Sequence, residues 1–438
     1  MKKIGIFIII IFLNSCLISD IFIVKVKEKT WLPKSSPKTE NYVDTISIEV
    51  IGGLIVGELS VAGNKRKAIF DTGAPTALDI VDTSIERVKT RPKPTRNHEN
   101  YYDIIELTTG FKSVTFGLIN LIDTLEIGKS TFLTVGASTV SLINYFIGAE
   151  CHELINLIGT NVMNDGVWSF NYQQNEIIFS NRIDSSSVKN HIEFDLIPST
   201  KLRMPVFEIL INGITYKALI DTGNASKAIL IKKTSEEDKN AVKFSNKIET
   251  TSPFSLNHSP LVPKKITSKT VEEAVMETSS FGNCFEFEVL KELSVFTDKQ
   301  NKKNDFDLVL GYDFLKYFNF TIDWVNDKIY FEPLFDKPVT IVNSRFNFKI
   351  DFFNYDKKLY VTSYLPNYFS PEEINVGDTV KAINHIPIEE IVNKENYCEV
   401  VRGERDLFPK QDTTIVTVKN KKGETRDLKM YEVTLFRE

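Results

Sequence analysis

Two stretches decide how this chain is read: Lys67-Ala68-Ile69-Phe70-Asp71-Thr72-Gly73-Ala74 and Lys217-Ala218-Leu219-Ile220-Asp221-Thr222-Gly223-Asn224. Each is an apolar run ending in Asp-Thr-Gly, and the aspartates stand 221 − 71 = 150 positions apart. A lone Asp-Thr-Gly is an ordinary turn, since Asp and Gly both suit a chain reversal. Two copies after matching apolar runs form a repeat, and further landmarks keep step with it. Leu157-Ile158-Gly159 is answered by Val309-Leu310-Gly311, with 311 − 159 = 152. Trp168-Ser169-Phe170-Asn171-Tyr172 and Glu176-Ile177-Ile178-Phe179 are answered by Phe320-Thr321-Ile322-Asp323-Trp324 and Lys328-Ile329-Tyr330-Phe331. Each pair reads as a strand, a polar turn (Gln173 to Asn175, Val325 to Asp327) and a returning strand. Such order-preserving self-similarity predicts two homologous lobes.

Strands are expected ahead of each aspartate. Thr45-Ile46-Ser47-Ile48-Glu49-Val50 alternates polar and apolar residues, and Val206 to Ile211 does so loosely. Asn212-Gly213 is a hairpin turn signal. Arg91 to Asn100, with Pro92 and Pro94, and Lys232 to Ser280, with Pro253, Pro260 and Pro263, read as inserted surface loops. The chain divides into a signal peptide (1–15), a tether (16–42), an N-terminal lobe (43–190), a C-terminal lobe (191–335) and a further unit (340–438). Phe (31) and Tyr (15) are plentiful and favour strands. Hydrophobic residues at 42% and charged residues at 25% suit a globular chain. A net charge of −5 without a long basic run argues against nucleic acid as a partner.

At the N-terminus Lys2 and Lys3 precede an apolar run from Ile4 to Leu13, then Asn14-Ser15-Cys16. This is the layout of a secretory signal. Leu13-Asn14-Ser15-Cys16 resembles a bacterial lipobox, which implies cleavage before Cys16 and lipidation of its thiol. The alternative is an uncleaved anchor running on towards Val24, although Asn14, Ser15, Ser19 and Asp20 interrupt it. Both readings put the folded part outside the cytoplasm and tie it to a membrane, the first as a bacterial cell-envelope lipoprotein. Lys25 to Glu40, with Pro33 and Pro37, reads as a solvated tether. Cys151, Cys284 and Cys398 lie far apart with no Cys-x-x-Cys pair, which disfavours zinc. An odd number leaves at least one thiol free, and a Cys151–Cys284 bridge stays open. The five histidines (His98, His152, His191, His258, His385) are scattered and form no metal motif. No metal and no cofactor is expected.

The duplicated apolar-apolar-Asp-Thr-Gly resembles the active-site loops of aspartic peptidases of the retropepsin and pepsin type. The resemblance spans about Asp44 to Pro333. It implies a mainly β, bilobal, double-psi fold, in which the downstream apolar-apolar-Gly threads beside each loop. It implies that Asp71 and Asp221 act as a catalytic pair. Two carboxyls side by side cannot both ionise, so one serves as base and the other as acid. Thr72 and Thr222 are expected to bond to the opposite loop. Gly73 and Gly223 are expected to permit a tight turn and bring backbone N–H groups near the carboxylates. Ala74 resembles the retropepsin pattern, whereas Asn224 departs from both. Without a hydroxyl at that position the carboxylates are less stabilised, and a pH optimum nearer neutral follows. A flap hairpin is expected between Tyr101 and Ile127, with its tip at Thr109-Gly110-Phe111. Two lobes in one chain make obligatory dimerisation unnecessary. The implied substrate is an extended peptide or protein in the inter-lobe cleft. The rivals are a catalytically silent peptide-binding protein and a scaffold lipoprotein.

After Pro333, Leu359 to Leu365 reads as an extended run, and Ser370-Pro371-Glu372-Glu373 as a short helix start. Gly377-Asp378-Thr379-Val380-Lys381-Ala382-Ile383-Asn384-His385 resembles the central signature of PDZ domains, with His385 where Gly is usual. The resemblance implies a small α+β domain over the last hundred residues, with its final strand near Thr413 to Val418. It implies binding of a peptide strand or chain terminus by β-augmentation, which could recruit substrates or restrain the cleft. The alternative is an unrelated β-rich cap on the second lobe.

Overall fold

The computed structural model describes residues 36–39, 41–51, 53–61, 63–74, 78–79, 104–107, 114–117, 119–138, 156–197, 204–225, 228–230, 244–251, 268–289, 306–335, 344–353, 358–393, 395–401, 407 and 412–434. These residues are mainly β-strand. The first half contains β1 (Ser36–Pro37), β2 (Val43–Ile51), β3 (Leu54–Val61), β4 (Asn64–Asp71), β5 (Leu78–Asp79), β6 (Ile104–Leu107), β7 (Val114–Gly117), β8 (Ile119–Ile127), β9 (Ser130–Ser138), β10 (Asn156–Gly159), α1 (Thr160–Met163), β11 (Val167–Asn171) and β12 (Glu176–Ser180). The second contains β13 (Ile192–Asp195), β14 (Val206–Ile211), β15 (Ile214–Ile220), β16 (Ala228–Leu230), β17 (Phe244–Thr251), β18 (Ser268–Thr278), β19 (Asn283–Val289), β20 (Leu308–Leu310), α2 (Tyr312–Leu315), β21 (Phe318–Asp323) and β22 (Lys328–Pro333). A third unit follows with β23 (Ser344–Phe346), β24 (Phe348–Phe353), β25 (Lys358–Tyr364), β26 (Thr379–Ile383), β27 (Ile386–Pro387), α3 (Ile388–Ile391), α4 (Tyr397–Val401), β28 (Thr413–Lys419) and β29 (Thr425–Thr434).

One wiring scheme occurs twice. An antiparallel hairpin, β3–β4 or β14–β15, ends at an Asp-Thr-Gly loop. The second strand of each hairpin then takes a parallel neighbour from the apolar-apolar-Gly landmark, β10 beside β4 and β20 beside β15. A short strand closes each set: β5 is antiparallel to β10 and parallel to β9, and β16 is antiparallel to β20 and parallel to β19. The left-handed backbone needed at Asn212 (φ 50°) and Gly213 (φ 78°) explains the Asn-Gly pair in the β14–β15 turn. Asn175 (φ 53°) and Asp327 (φ 54°) occupy matching turns, 327 − 175 = 152 positions apart.

The halves are stitched by β11 against β21, with Ser169 opposite Thr321 and their hydroxyls 2.8 Å apart. Since 321 − 169 = 152, this rung pairs equivalent positions and marks a local two-fold. Phe170 stacks on Phe320 beside it at 4.8 Å. One apolar core runs through both halves, from Phe70, Trp168 and Phe179 to Phe207, Phe318 and Phe331. The third unit has its own core around Phe348, Leu359, Val361, Ile374, Val416 and Met430.

Several expectations need correction. Lys232 to Ser280 is not simply a loop, because β17 and β18 pair along its length. Ser370 to Glu373 closes a single turn, with the Ser370 N–H bonded to Glu373 Oε2, but no helix continues from it. Thr413–Lys419 is not the last strand, since β29 returns along it. Cys284 is free, which removes the Cys151–Cys284 bridge, and Cys398 is disulfide-bonded. The signal segment with Cys16, most of the tether, the Arg91–Asn100 insertion and the tip at Thr109 to Phe111 lie outside the described residues. The β6–β7 hairpin itself is described. Among the described residues no helix is long and apolar enough to cross a membrane.

Candidate active site

Each Asp-Thr-Gly loop is placed by an apolar strand. Ala68, Ile69 and Phe70 are fully buried ahead of Asp71, as are Ala218 and Ile220 ahead of Asp221. The parallel neighbours hold the loops from the side. The Asp221 N–H donates to the Leu310 carbonyl at 3.0 Å. The residue after each Gly is clipped to the helix that follows the landmark. The Thr160 N–H donates to the Ala74 carbonyl, and the Tyr312 N–H to the Asn224 carbonyl, both at 2.8 Å.

Between the loops the two threonines form a closed reciprocal set. Thr72 Oγ1 donates to the Ile220 carbonyl at 2.7 Å and accepts the Thr222 N–H at 3.1 Å. Thr222 Oγ1 donates to the Phe70 carbonyl at 2.6 Å and accepts the Thr72 N–H at 2.9 Å. The hydroxyls are 3.3 Å apart, and both residues are buried, 0% and 1% exposed. A hydroxyl is required here because each must donate and accept at once.

The glycines are fixed by closeness, not by backbone sign. A Cβ on Gly73 would lie 2.3 Å from Asp221 Oδ1, and one on Gly223 would lie 2.3 Å from Asp71 Cγ. Each carboxyl therefore lies over the opposite loop. Each also accepts an N–H from its own loop, Gly73 to Asp71 Oδ1 at 2.8 Å and Gly223 to Asp221 Oδ1 at 3.0 Å. The Asp221 carboxyl is raised well above the usual range, first by burial, then by the charge of Asp71 and a hydrogen bond with it. The N–H groups of Gly223 and Asn224 pull the other way and lose. Asn224 thus contributes its backbone where a hydroxyl is absent. Two carboxyls so placed resist ionising together and titrate as a pair.

The structure brings Asp71, Thr72, Gly73, Asp221, Thr222 and Gly223 into one cluster. Cys16 lies outside the described residues. The sequence did not single out Gly53, whose φ of +87° turns β2 into β3 and whose missing Cβ leaves room for the Ala225 carbonyl at 2.8 Å. The Gly52-Gly53 pair was the available signal for this close approach between halves. Among the described residues no group of three His, Cys, Asp or Glu is placed to hold a metal ion. Compared with known proteins, the chain matches no family model and no curated protein.

Proposed function

We propose that this chain is an aspartic endopeptidase of bilobal, double-psi type, followed by a PDZ-like domain. The observation that carries the reading is the face-to-face pair Asp71 and Asp221, each carboxyl over the other loop's glycine. In the proposed reaction the ionised carboxyl takes a proton from a water held between the two. The water oxygen adds to the peptide carbonyl carbon. Collapse of that adduct breaks the C–N bond, and the protonated carboxyl supports transfer of a proton to the departing nitrogen. The threonine set holds the two carboxyls in register, which favours reaction by removing reorganisation.

The substrate is an extended peptide between the halves, covered by the β6–β7 hairpin. In the third unit β24 pairs with β25 along one edge, and a peptide strand added to β24 is the proposed ligand mode. The Lys2 to Cys16 pattern supports a lipid at Cys16 and a site of action outside the cytoplasm, on the cell envelope.

Digestion of a denatured protein mixture by wild type, Asp71→Asn and Asp221→Asn, followed by peptide mass spectrometry, tests the reading. Cleavage by wild type and its loss in both variants is expected. Equal cleavage by all three, or none by any across a wide pH range, would leave a silent peptide-binding protein as the better description. The pH–rate profile is expected to centre nearer neutral than the free carboxyl value of about 4.

A further inference from the structure

Each half carries a hairpin in the stretch after its short closing strand, and the one in the second half is joined to the third unit. In the first half β6 pairs with β7, from Ile104 opposite Gly117 to Leu107 opposite Val114. These strands fall between β5 and β9 in the chain. In the second half β17 and β18 fall between the equivalent β16 and β19, and pair from Phe244 opposite Val275 to Thr251 opposite Ser268. Here β17 also has a second partner. Glu249 lies opposite Tyr364 and Thr250 opposite Ser363 in an antiparallel seam with β25 of the third unit.

Side chains reinforce the seam. Ile248, 2% exposed, packs with Leu365 and Val433, and Tyr431 lies against them. The fully buried Asn347 fixes that platform: its carbonyl accepts the Leu365 N–H, its Nδ2 donates to the Lys429 carbonyl, and its Oδ1 accepts the Tyr431 N–H. Hydrogen-bonded strands then run without interruption from β25 through β17, β18, β19, β16 and β20 to β15. The last residue of β15, Ile220, receives the Thr72 hydroxyl and precedes Asp221.

We propose that the β17–β25 seam makes the third unit an activator of the two-aspartate site. With the seam closed, the ladder holds the Asp221 loop in the arrangement that meets Asp71. With the seam open, the loop gains freedom and turnover slows. The direction follows from ordering: strands fixed at one end of a ladder have less freedom left to lose at the other. A peptide strand added to β24 strengthens the platform and shifts the population towards the closed seam. The effect on turnover rests on the peptidase reading; the ordering of the loop does not.

The test uses the full chain with Ile248→Ala, Leu365→Ala and the double variant, and near-ultraviolet circular dichroism to verify folding. Hydrogen exchange is followed at the amides of Thr222, Gly223 and Asn224, and cleavage of a denatured protein mixture is followed in parallel. Each single variant is expected to speed exchange in that loop and to slow cleavage about fivefold or more. The double variant should do little more than either single, because both residues act through one seam. Faster exchange in β17 with no change at residues 222–224 and unchanged cleavage would overturn the proposal. If the wild type cleaves nothing but the loop exchange responds, the coupling stands and the peptidase reading falls. Should Ile248→Ala unfold the protein, Ile248→Val gives the same comparison with a smaller perturbation.

Discussion

Asp221 is held in a conflict that its neighbours leave unresolved. Burial and the charge of Asp71 raise its proton affinity more than the Gly223 and Asn224 N–H groups lower it. The folded chain therefore keeps this proton at a pH where the unfolded chain has lost it. Below the ordinary value of 3.8 the group is neutral in stability terms. As pH rises from there through the raised native value it becomes destabilising, and it stays so above. Asp221→Asn is thus expected to melt higher than wild type near neutral pH, with the gap closing in acid, while cleavage falls by about 10²–10⁴-fold. Calorimetry at a series of pH values checks this, and a gap that widens on acidification would contradict it. Thr72→Ala or Thr222→Ala strips partners from a buried carbonyl and a buried N–H at once. A cost of about 1–3 kcal/mol by urea denaturation is expected for each, with Ser largely restoring it. Gly73→Ala is a steric probe of the site: its methyl would lie 2.3 Å from Asp221 Oδ1, so activity should vanish, and the overpacking is expected to cost about 1–3 kcal/mol.

At the level of elements, the Asn384-His385 turn carries a measurable strain. His385 sits at φ 65°, after Asn384 at 50°. Left-handed backbone disfavours a Cβ, and His385→Gly is expected to raise the stability of the third unit by about 1 kcal/mol. A chemical denaturation midpoint that falls instead would show that the imidazole compensates. The strands that were legible from the chain alone show alternation because one face lies in the core, as in Thr45 to Val50. The Asp-Thr-Gly loops were legible because they occur twice in matching contexts. β17 was not, since Phe244–Thr251 carries apolar side chains only at Phe244 and Ile248 and is otherwise polar. Its pairing comes from β18 and β25, whose paired residues lie from 268 − 251 = 17 to 364 − 249 = 115 positions away and leave no local mark. The helix start read at Ser370 is a single turn and no helix. The chain instead buries Ile374 and Val376 and turns again at Asp378, whose Oδ2 accepts the Asn375 N–H.

On the scale of the whole molecule, the two halves share one core and the third unit has another. Two calorimetric transitions are therefore expected. Trp168→Ala, which removes a ring stacked 4.6 Å from Phe179, should weaken the transition of the paired halves by about 3–5 kcal/mol. It should leave the other nearly in place. Equal displacement of both would mean that the units unfold as one. The β11–β21 rung at Ser169 and Thr321 has a wider meaning. Sliding one strand past the other by a single residue would move the halves about 3.3 Å and turn inward-facing side chains outward. That step exceeds the play available in the 2.6 Å and 2.7 Å threonine contacts. Strand register in the β11–β21 pair thus acts as the gauge that spaces Asp71 from Asp221.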